Sequence, residues 1–310
     1  VCTAAGMISV IVCTYNRADV LARMLDRFVA QPGLARIPYE LIVVDNNSTD
    51  HTRRVLERLE SRVRLRVFLE TRQGLSHARN RGVAEARGDI VAFLDDDVLV
   101  QTDWIERLDD CLAATGADVV GGRAGLLFDR TPPPWLGPHF RRALSEVDLG
   151  PQRRELESGR RLYGLNLAFR KAALVAAGGF DTSLGRTGAA LLAGEETVVI
   201  ARIVESGGRV VYDPFTRVGH LIDRQRLAWK YFERQSWGAG LSAGLADGPS
   251  TRLEQLRRVR ESLALLAIAA IRLVCATARG HSAYEWRLSK SRFLRSSALS
   301  LMRLKRLASP

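Results

Sequence analysis

The chain has 310 residues, 46% of them apolar, which suffices for a full α/β core and excludes a disordered polymer. Its four cysteines, Cys2, Cys13, Cys111 and Cys275, are far apart without metal-ligand spacing; this argues against a disulfide scaffold and for reduced thiols in a cytoplasmic setting. The net charge of +12 lies wholly in residues 224–310, which hold 17 Lys+Arg against 5 Asp+Glu, while residues 1–223 hold 29 of each. A basic tail on a neutral body implies a separate task, such as contact with anionic lipid, a phosphorylated acceptor or nucleic acid.

Residues 1–12 lack the basic segment of a signal peptide, and their apolar side chains suit a first strand at 7–13. A helical period follows over 19–30, with Val20, Leu21, Met24, Leu25 and Phe28 on one face. Strands are expected at 41–44, 63–69, 90–94 and 118–122. Helices are expected at 52–59, 76–86 and 102–113, with Ser76 as the cap of the second. Such alternation predicts a mainly parallel sheet with helices on both faces and ligands at the carboxyl ends of the strands. Residues 129–160 interrupt the pattern with Pro132-Pro-Pro-Trp135 and read as a binding loop or lid. Strand and helix resume at 163–169, 171–177, 195–206 and 209–212.

The rest reads as helical. Residues 262–278 are almost wholly apolar but interrupted by Arg272, and the unbroken part is too short to span a bilayer, so a buried or interfacial helix is expected. Residues 283–307 mix Trp286, Phe293 and Leu294 with Arg287, Lys290 and Arg292, the composition of a helix at an anionic membrane surface. Packing of that helix on the protein's own catalytic domain is the alternative.

The chemistry concentrates at strand ends. Asp95, Asp96 and Asp97 follow the apolar run Ile90-Val-Ala-Phe-Leu94; three carboxylates leaving a core together repel unless a cation sits among them, and their hard oxygens suit Mg²⁺ or Mn²⁺ with substrate phosphates. A solvated acidic turn is the plain alternative. Thr14-Tyr-Asn-Arg17 and Asp45-Asn-Asn-Ser-Thr-Asp50 end two neighbouring strands and make a polar crevice. Ser48 to Asp50 serve as turn and cap residues, whereas capping accounts less well for Asp45, whose carboxylate can accept from a uracil or guanine edge. Gly74 permits close backbone approach before a helix carrying Arg79 and Arg81. Each arginine, taken singly, reads as an exposed helix cation.

The segments Ile8-Ser-Val-Ile-Val-Cys-Thr-Tyr-Asn-Arg17, Val43-Val-Asp-Asn-Asn-Ser-Thr-Asp50, Ala78-Arg-Asn-Arg-Gly82 and Phe93-Leu-Asp-Asp-Asp97 resemble the inverting family 2 glycosyltransferases of the GT-A fold. So do Gly164-Leu-Asn-Leu-Ala-Phe-Arg170, Gly178-Gly-Phe-Asp181, Gly194-Glu-Glu196 and Val218-Gly-His220, and together they cover roughly residues 7–242. The resemblance implies a Rossmann-like, mainly parallel α/β domain; with the basic helical C-terminal region read from composition, the chain divides into a nucleotide-sugar half (1–125), an acceptor and catalytic-base half (126–223) and a C-terminal region (224–310). The resemblance also implies a nucleotide pocket at Thr14, Tyr15, Asn16 and Asp45 and an Asp-x-Asp motif at Asp95 and Asp97; Arg79, a cation near a helix N-terminus that could face phosphate, and Asp96, within the acidic triplet, are further candidates for the nucleotide-sugar site. A divalent metal, Mn²⁺ or Mg²⁺, is implied at Asp97, Asp95 and His220. The base falls in a motif that usually reads Glu-Asp and here reads Glu195-Glu196, with Glu196 on the aspartate position. Asn166 and Asp181 are candidates for the acceptor side.

The expected reaction is transfer of a sugar from a nucleotide-sugar, UDP by family prevalence, to a glycan, lipid-linked or small-molecule acceptor. A membrane-linked acceptor and peripheral attachment at the cytoplasmic face would account for the tail. A nucleic-acid-binding protein is the alternative from another class; the tail carries no recognisable motif of that kind, so no nucleic acid is expected. A dinucleotide oxidoreductase fits poorly, because the first βα turn is Thr14-Tyr-Asn-Arg17 and lacks the glycines that let backbone approach a pyrophosphate.

Overall fold

A computed structural model describes residues 6–60, 65–157, 162–188, 191–248, 250–278 and 282–308. Its first half is β1 (Ile8–Thr14), α1 (Ala18–Val29), β2 (Tyr39–Asp45), α2 (Thr52–Glu60), β3 (Leu65–Leu69), α3 (Leu75–Glu85), β4 (Ile90–Asp95), β5 (Val98–Val100), α4 (Trp104–Thr115) and β6 (Val119–Phe128). Then come α5 (Pro138–Ala143), β7 (Arg154–Leu156), β8 (Asn166–Arg170), α6 (Lys171–Ala176), α7 (Glu195–Glu205) and β9 (Val210–Ile222). The chain closes with α8 (Trp229–Leu245), α9 (Arg252–Ala278) and α10 (Ala283–Ala308). It divides into two compact units: residues 1–127, 145–182 and 195–222 form one, and residues 128–144, 183–194 and 223–310 the other.

The first unit is built on a sheet ordered β3-β2-β1-β4-β8-β6-β9-β5, with β7 on β9. β3, β2, β1 and β4 run parallel; β8 is antiparallel to both β4 and β6. The parallel strands are apolar on both faces because helices cover both: Val10, Ile11, Val12, Ile42 and Val43 are fully buried. Register places the chemistry. Thr14 lies opposite Asp45, and Cys13 opposite Asp95, so β1, β2 and β4 end level and their following loops open at one edge.

Three sequence expectations need correction. Ser76 does not cap α3: the helix starts from Gly74, at φ 142°, and Ser76 is buried inside its first turn. Residues 129–160 are not a plain loop, since they contain α5 and β7. The strand expected at 209–212 runs to Ile222, because β9 continues through Asp213-Pro214 to pair with β5. The expected strand residues 63–64 lie outside the described residues.

The second unit is helical. α10 packs along both α8 and α9. Gly240 and Gly244 of α8 let α10 approach so closely that an added Cβ would meet Arg295 backbone and Met302. Arg303 of α10 bonds Asp247 at 2.8 Å and the Arg258 carbonyl at 2.9 Å. Trp135 sits edge-on to Phe140, Trp229 and Phe232 at 5.5–5.8 Å between centroids, with Arg287 over its ring. The proline segment is therefore packed through an aromatic anchor. α9 is not the buried helix that was one of two expectations for it: its large side chains are mostly exposed.

Candidate active site

The polar residues after β1, β2 and β3 tie their own loops together before they offer anything to a ligand. Asn16 adopts φ 53°, and its Oδ1 accepts from the backbone N–H of Thr49 at 2.7 Å while its own N–H donates to Ser48 Oγ at 2.9 Å. Asp50 accepts from the N–H groups of Ala18 and Thr52. Asp45 Oδ1 accepts from Ser48 N–H at 2.9 Å, so turn formation claims one oxygen of the residue for which capping seemed the weaker account. Asn46 links the loops after β2 and β3: its Nδ2 donates to the carbonyls of Glu70 and Arg72, and its Oδ1 accepts from Gly74 N–H at 2.8 Å. Tyr15 stands out from this frame, 41% exposed.

Two arginines serve the three aspartates: Arg79 faces Asp95, and Arg17 is shared by Asp96 and Asp97. Asp95 is half-buried, with Arg79 Nη2 3.4 Å from its Oδ1. Asp96 is buried; Thr14 Oγ1 donates to it at 2.8 Å and Arg17 Nη1 at 2.6 Å. Asp97 is buried and receives Arg17 Nη2 at 2.8 Å. Pairing of Val98 with His220 and the bond from Leu221 N–H to the Asp97 carbonyl bring His220 Nε2 to 3.3 Å from Asp97 Oδ2. Burial pushes the Asp96 carboxyl up to about 7, with Arg17 opposing and Asp97 adding to the rise. Burial disfavours the Arg17 charge, and the Asp96 and Asp97 carboxylates outweigh it, so its pKa lies above the ordinary value.

The second carboxylate cluster lies at the start of α7. Glu195 and Glu196 follow Gly194, whose φ of 99° favours glycine, and both are buried. Arg79 Nη1 lies 2.6 Å from Glu195 Oε1. Arg79 is itself 3% exposed, which overturns its reading as a surface cation. Its guanidinium lies over Phe93 and Phe180, at 5.8 and 5.5 Å, and against Gly164, where an added Cβ would sit 2.1 Å from Nη2. Arg81, by contrast, is half-exposed and pairs with Glu85 one turn on, as a helix-surface cation should. Among the described residues, Oε2 of Glu195 and Oε2 of Glu196 are buried without a hydrogen-bond partner. Burial first, then the Glu195 charge, raises the Glu196 carboxyl to about 8 against the pull of Arg79.

The unit thus presents strand-end loops, an acidic pair held by an arginine with a histidine beside it, and a buried carboxylate primed to hold a proton. Residues 9–175 match the family described as glycosyl transferase family 2. The chain belongs to that family.

Glycosyltransferases also supply its relatives and structural neighbours. A glucosyl-dolichyl phosphate glucuronosyltransferase of Haloferax volcanii is 30% identical over 246 residues, 77% of each chain. Succinoglycan biosynthesis protein ExoM of Rhizobium meliloti is 28% identical over 237 residues, 75% of this chain and 72% of its own. The mannosyltransferase PcManGT of Pyrobaculum calidifontis, solved with GDP-Man and Mn²⁺, superposes with a TM-score of 0.62 at 21% identity, covering 96% of this chain and 87% of its own. The architecture is therefore GT-A with a helical C-terminal region.

Within this glycosyltransferase, two sequence expectations look different in place. Asn166 does not line an open acceptor surface: it is buried, its Oδ1 accepts from Trp104 Nε1 at 2.9 Å, and its Nδ2 donates to the carbonyls of Arg123 and Thr216. Of the three groups expected to share a cation, Asp97 and His220 are in contact, whereas Asp95 has Arg79 as its partner; among the described residues no three His, Cys, Asp or Glu side chains gather into a cage. Asp181 is half-buried, just after Phe180, whose backbone is bound in both directions by the Asn80 amide at 2.8 and 2.9 Å. Arg17, Asn46 and Gly164 stood in quoted motifs without a role. Arg17 had one available signal: a cation at the end of β1, beside the strand that ends in aspartates.

Proposed function

We propose that this glycosyltransferase moves a sugar from a nucleoside-diphosphate carrier, UDP in the first instance, to a hydroxyl of a lipid-linked acceptor, with inversion and with Glu196 as the base. One observation carries the choice of base. Both carboxylates are buried with an unpartnered Oε2, but Glu195 is committed to Arg79 through its other oxygen, whereas Glu196 has no such cation bound to it among the described residues and its pKa is raised. A base whose pKa lies near the operating pH is suited to taking a proton from a hydroxyl.

In the proposed reaction the acceptor O–H passes its proton to Glu196. The acceptor oxygen forms a bond to the anomeric carbon from one side, and the bond from that carbon to the diphosphate oxygen breaks on the other. Its electron pair leaves on the nucleoside diphosphate, so the configuration inverts and no enzyme nucleophile is required. Arg79 holds Glu195 and Asp95 in register across this space, and Gly164 leaves room for the guanidinium. Tyr15 offers a ring, and Asp45 its second oxygen, to the nucleobase.

Asp97 and His220 fit a divalent cation: one carboxylate with one imidazole, completed by donor phosphates, is an accepted ligand set for Mn²⁺ and, with less help from nitrogen, for Mg²⁺. Such an ion, once bound with donor, neutralises charge on the departing diphosphate. The Mn²⁺ in the PcManGT complex supports this reading. The dolichyl-linked substrate named for the Haloferax relative supports the acceptor class, as does a second similar protein named dolichol-phosphate mannosyltransferase from Pyrococcus furiosus.

The test is a panel of nucleotide-sugars, each with and without Mn²⁺, read first as a shift in thermal midpoint and then as donor hydrolysis. A metal-dependent shift with one or two UDP-sugars is the expected result. No shift with any donor under either condition would sink the reading.

A further inference from the structure

The first unit accounts for the chemistry; the outward face of α9 has no part in it. An 18-residue stretch of α9 reaches a mean hydropathy of 1.8, yet only 17% of it is buried. Leu263, Leu265, Ile268, Ile271 and Val274 are 44, 51, 48, 63 and 67% exposed. The residues that α9 does bury are Val259, Ser262, Ala269 and Ala276, at spacings of three and seven along one seam. α10, packed along it, buries Ser291, Ala298 and Ser300. Small and weakly polar residues are thus inside and large aliphatic ones outside. That is the reverse of a helix pair designed for water, and it matches helices whose outer neighbour is hydrocarbon.

Length alone would let α9 cross a bilayer, since 27 residues reach about 40 Å. Its partner forbids it. α10 lies along α9 and carries Arg292, Arg295, Arg303 and Lys305, which cannot follow it into the hydrocarbon centre. Exposed Arg257 and Arg260 mark one end of the apolar stretch. Arg272 falls about 100° around from Ile271, at the flank of the face, where a long side chain can snorkel to headgroups. We propose that α9 lies in the plane of an anionic bilayer, its Leu263–Val274 face among the acyl chains and the surrounding arginines on the headgroups.

Charge separates this occupant from a second copy of the chain. Two copies meeting through α9 would bring together two regions of +12 each, whereas anionic lipid neutralises that charge at about 1 kcal/mol per basic residue near the surface. This inference goes beyond the reaction, and its readout needs no donor or activity.

The test is flotation of the full chain with phosphatidylcholine vesicles, with or without about one-third phosphatidylglycerol. The chain should float with the anionic vesicles, float poorly with the neutral ones, and be released by alkaline wash. The double substitution Ile271→Glu with Val274→Glu should cut the bound fraction by about tenfold or more, because two aliphatic side chains leave the acyl layer. Ile271→Gln with Val274→Gln should act in the same direction if the acidic pair misfolds. Val175→Glu, at a 57% exposed position of the first unit, should not. Three results would overturn the proposal: flotation unchanged in both double variants, retention after alkaline wash, or a lipid-free dimer that the variants split while flotation persists.

Discussion

Arg79 and Glu195, 116 positions apart in the chain, meet at 2.6 Å inside the protein, and both are under 5% exposed. The pair assigns different work to two adjacent glutamates. One neutralises a buried guanidinium and the other is left to hold a proton. Removing one member of a buried ion pair strands the other charge and costs about 3–5 kcal/mol. Arg79→Met should therefore destabilise the protein by roughly 3 kcal/mol in urea unfolding, with the slope of the transition unchanged. A surface arginine would show almost nothing. Arg81→Met, removing a half-exposed one-turn pair, provides that comparison at under about 0.5 kcal/mol.

Glu196 should reveal its role through pH. Its folded-state pKa of about 8 lies above the ordinary value of 4.5, so the native state binds more protons than the unfolded chain between those two values. Stability must then fall as pH rises through that window, and the penalty is complete above about 8. Glu196→Gln removes it. The variant should match the parent near pH 4.5 and exceed it at pH 8.5, by up to about 5 kcal/mol. In activity the order reverses. The parent's kcat/KM should climb with pH toward a plateau above about 8, and the glutamine variant should lose about 10²–10⁴-fold in kcat while donor binding persists. A glutamine variant that transfers at the parental rate, with Glu195→Gln inactive, would move the base to Glu195.

The alternation of β1 through α4 was legible because each segment buries an apolar face that can be counted in neighbouring residues. The same local reading found the strand ends that carry Thr14, Asp45 and Asp95. It failed where the deciding partner is remote. Arg79 reads as a helix-surface cation until Glu195 and Phe180 arrive from later elements. Asn166 reads as a free polar side chain until Trp104 and Thr216 close around it. The second half of β9 lies beyond Asp213-Pro214, just past residue 212 where the expected strand stopped. In the fold, Asp213 is fully buried, bonding Arg153 and Thr216, and the strand continues past that point. The outward face of α9 was hidden differently, since composition shows that a helix is apolar but not which side is covered.

Gly164 tests the guanidinium's seat without touching a charge. An alanine methyl there would sit 2.1 Å from Arg79 Nη2 and 2.5 Å from its Cζ, and Arg79 is too enclosed to swing aside. Overpacking of this kind costs about 1–3 kcal/mol. Gly164→Ala should lower the thermal midpoint and shift the pH-rate profile, because a displaced Arg79 no longer opposes the Glu196 rise. Gly125→Ala, where an added Cβ meets nothing within 4 Å, should leave both unchanged.

Arg17 bridges Asp96 and Asp97 at 2.6 and 2.8 Å, and Asp97 is also the carboxylate beside His220. A divalent cation drawn to Asp97 must compete with that guanidinium. Arg17→Gln should consequently do two opposite things. Without metal it should destabilise the protein by about 3 kcal/mol, because two buried carboxylates lose their shared cation. With Mn²⁺ it should recover more stability than the parent gains, since the ion then replaces the missing positive charge and binding to the native state adds RT ln(1 + [L]/Kd). Thermal midpoints across a Mn²⁺ titration measure both effects. Adding Asp97→Asn to Arg17→Gln should abolish the metal-dependent recovery. If that double variant still gains as much from Mn²⁺, the ion is held elsewhere and the Asp97–His220 assignment is wrong.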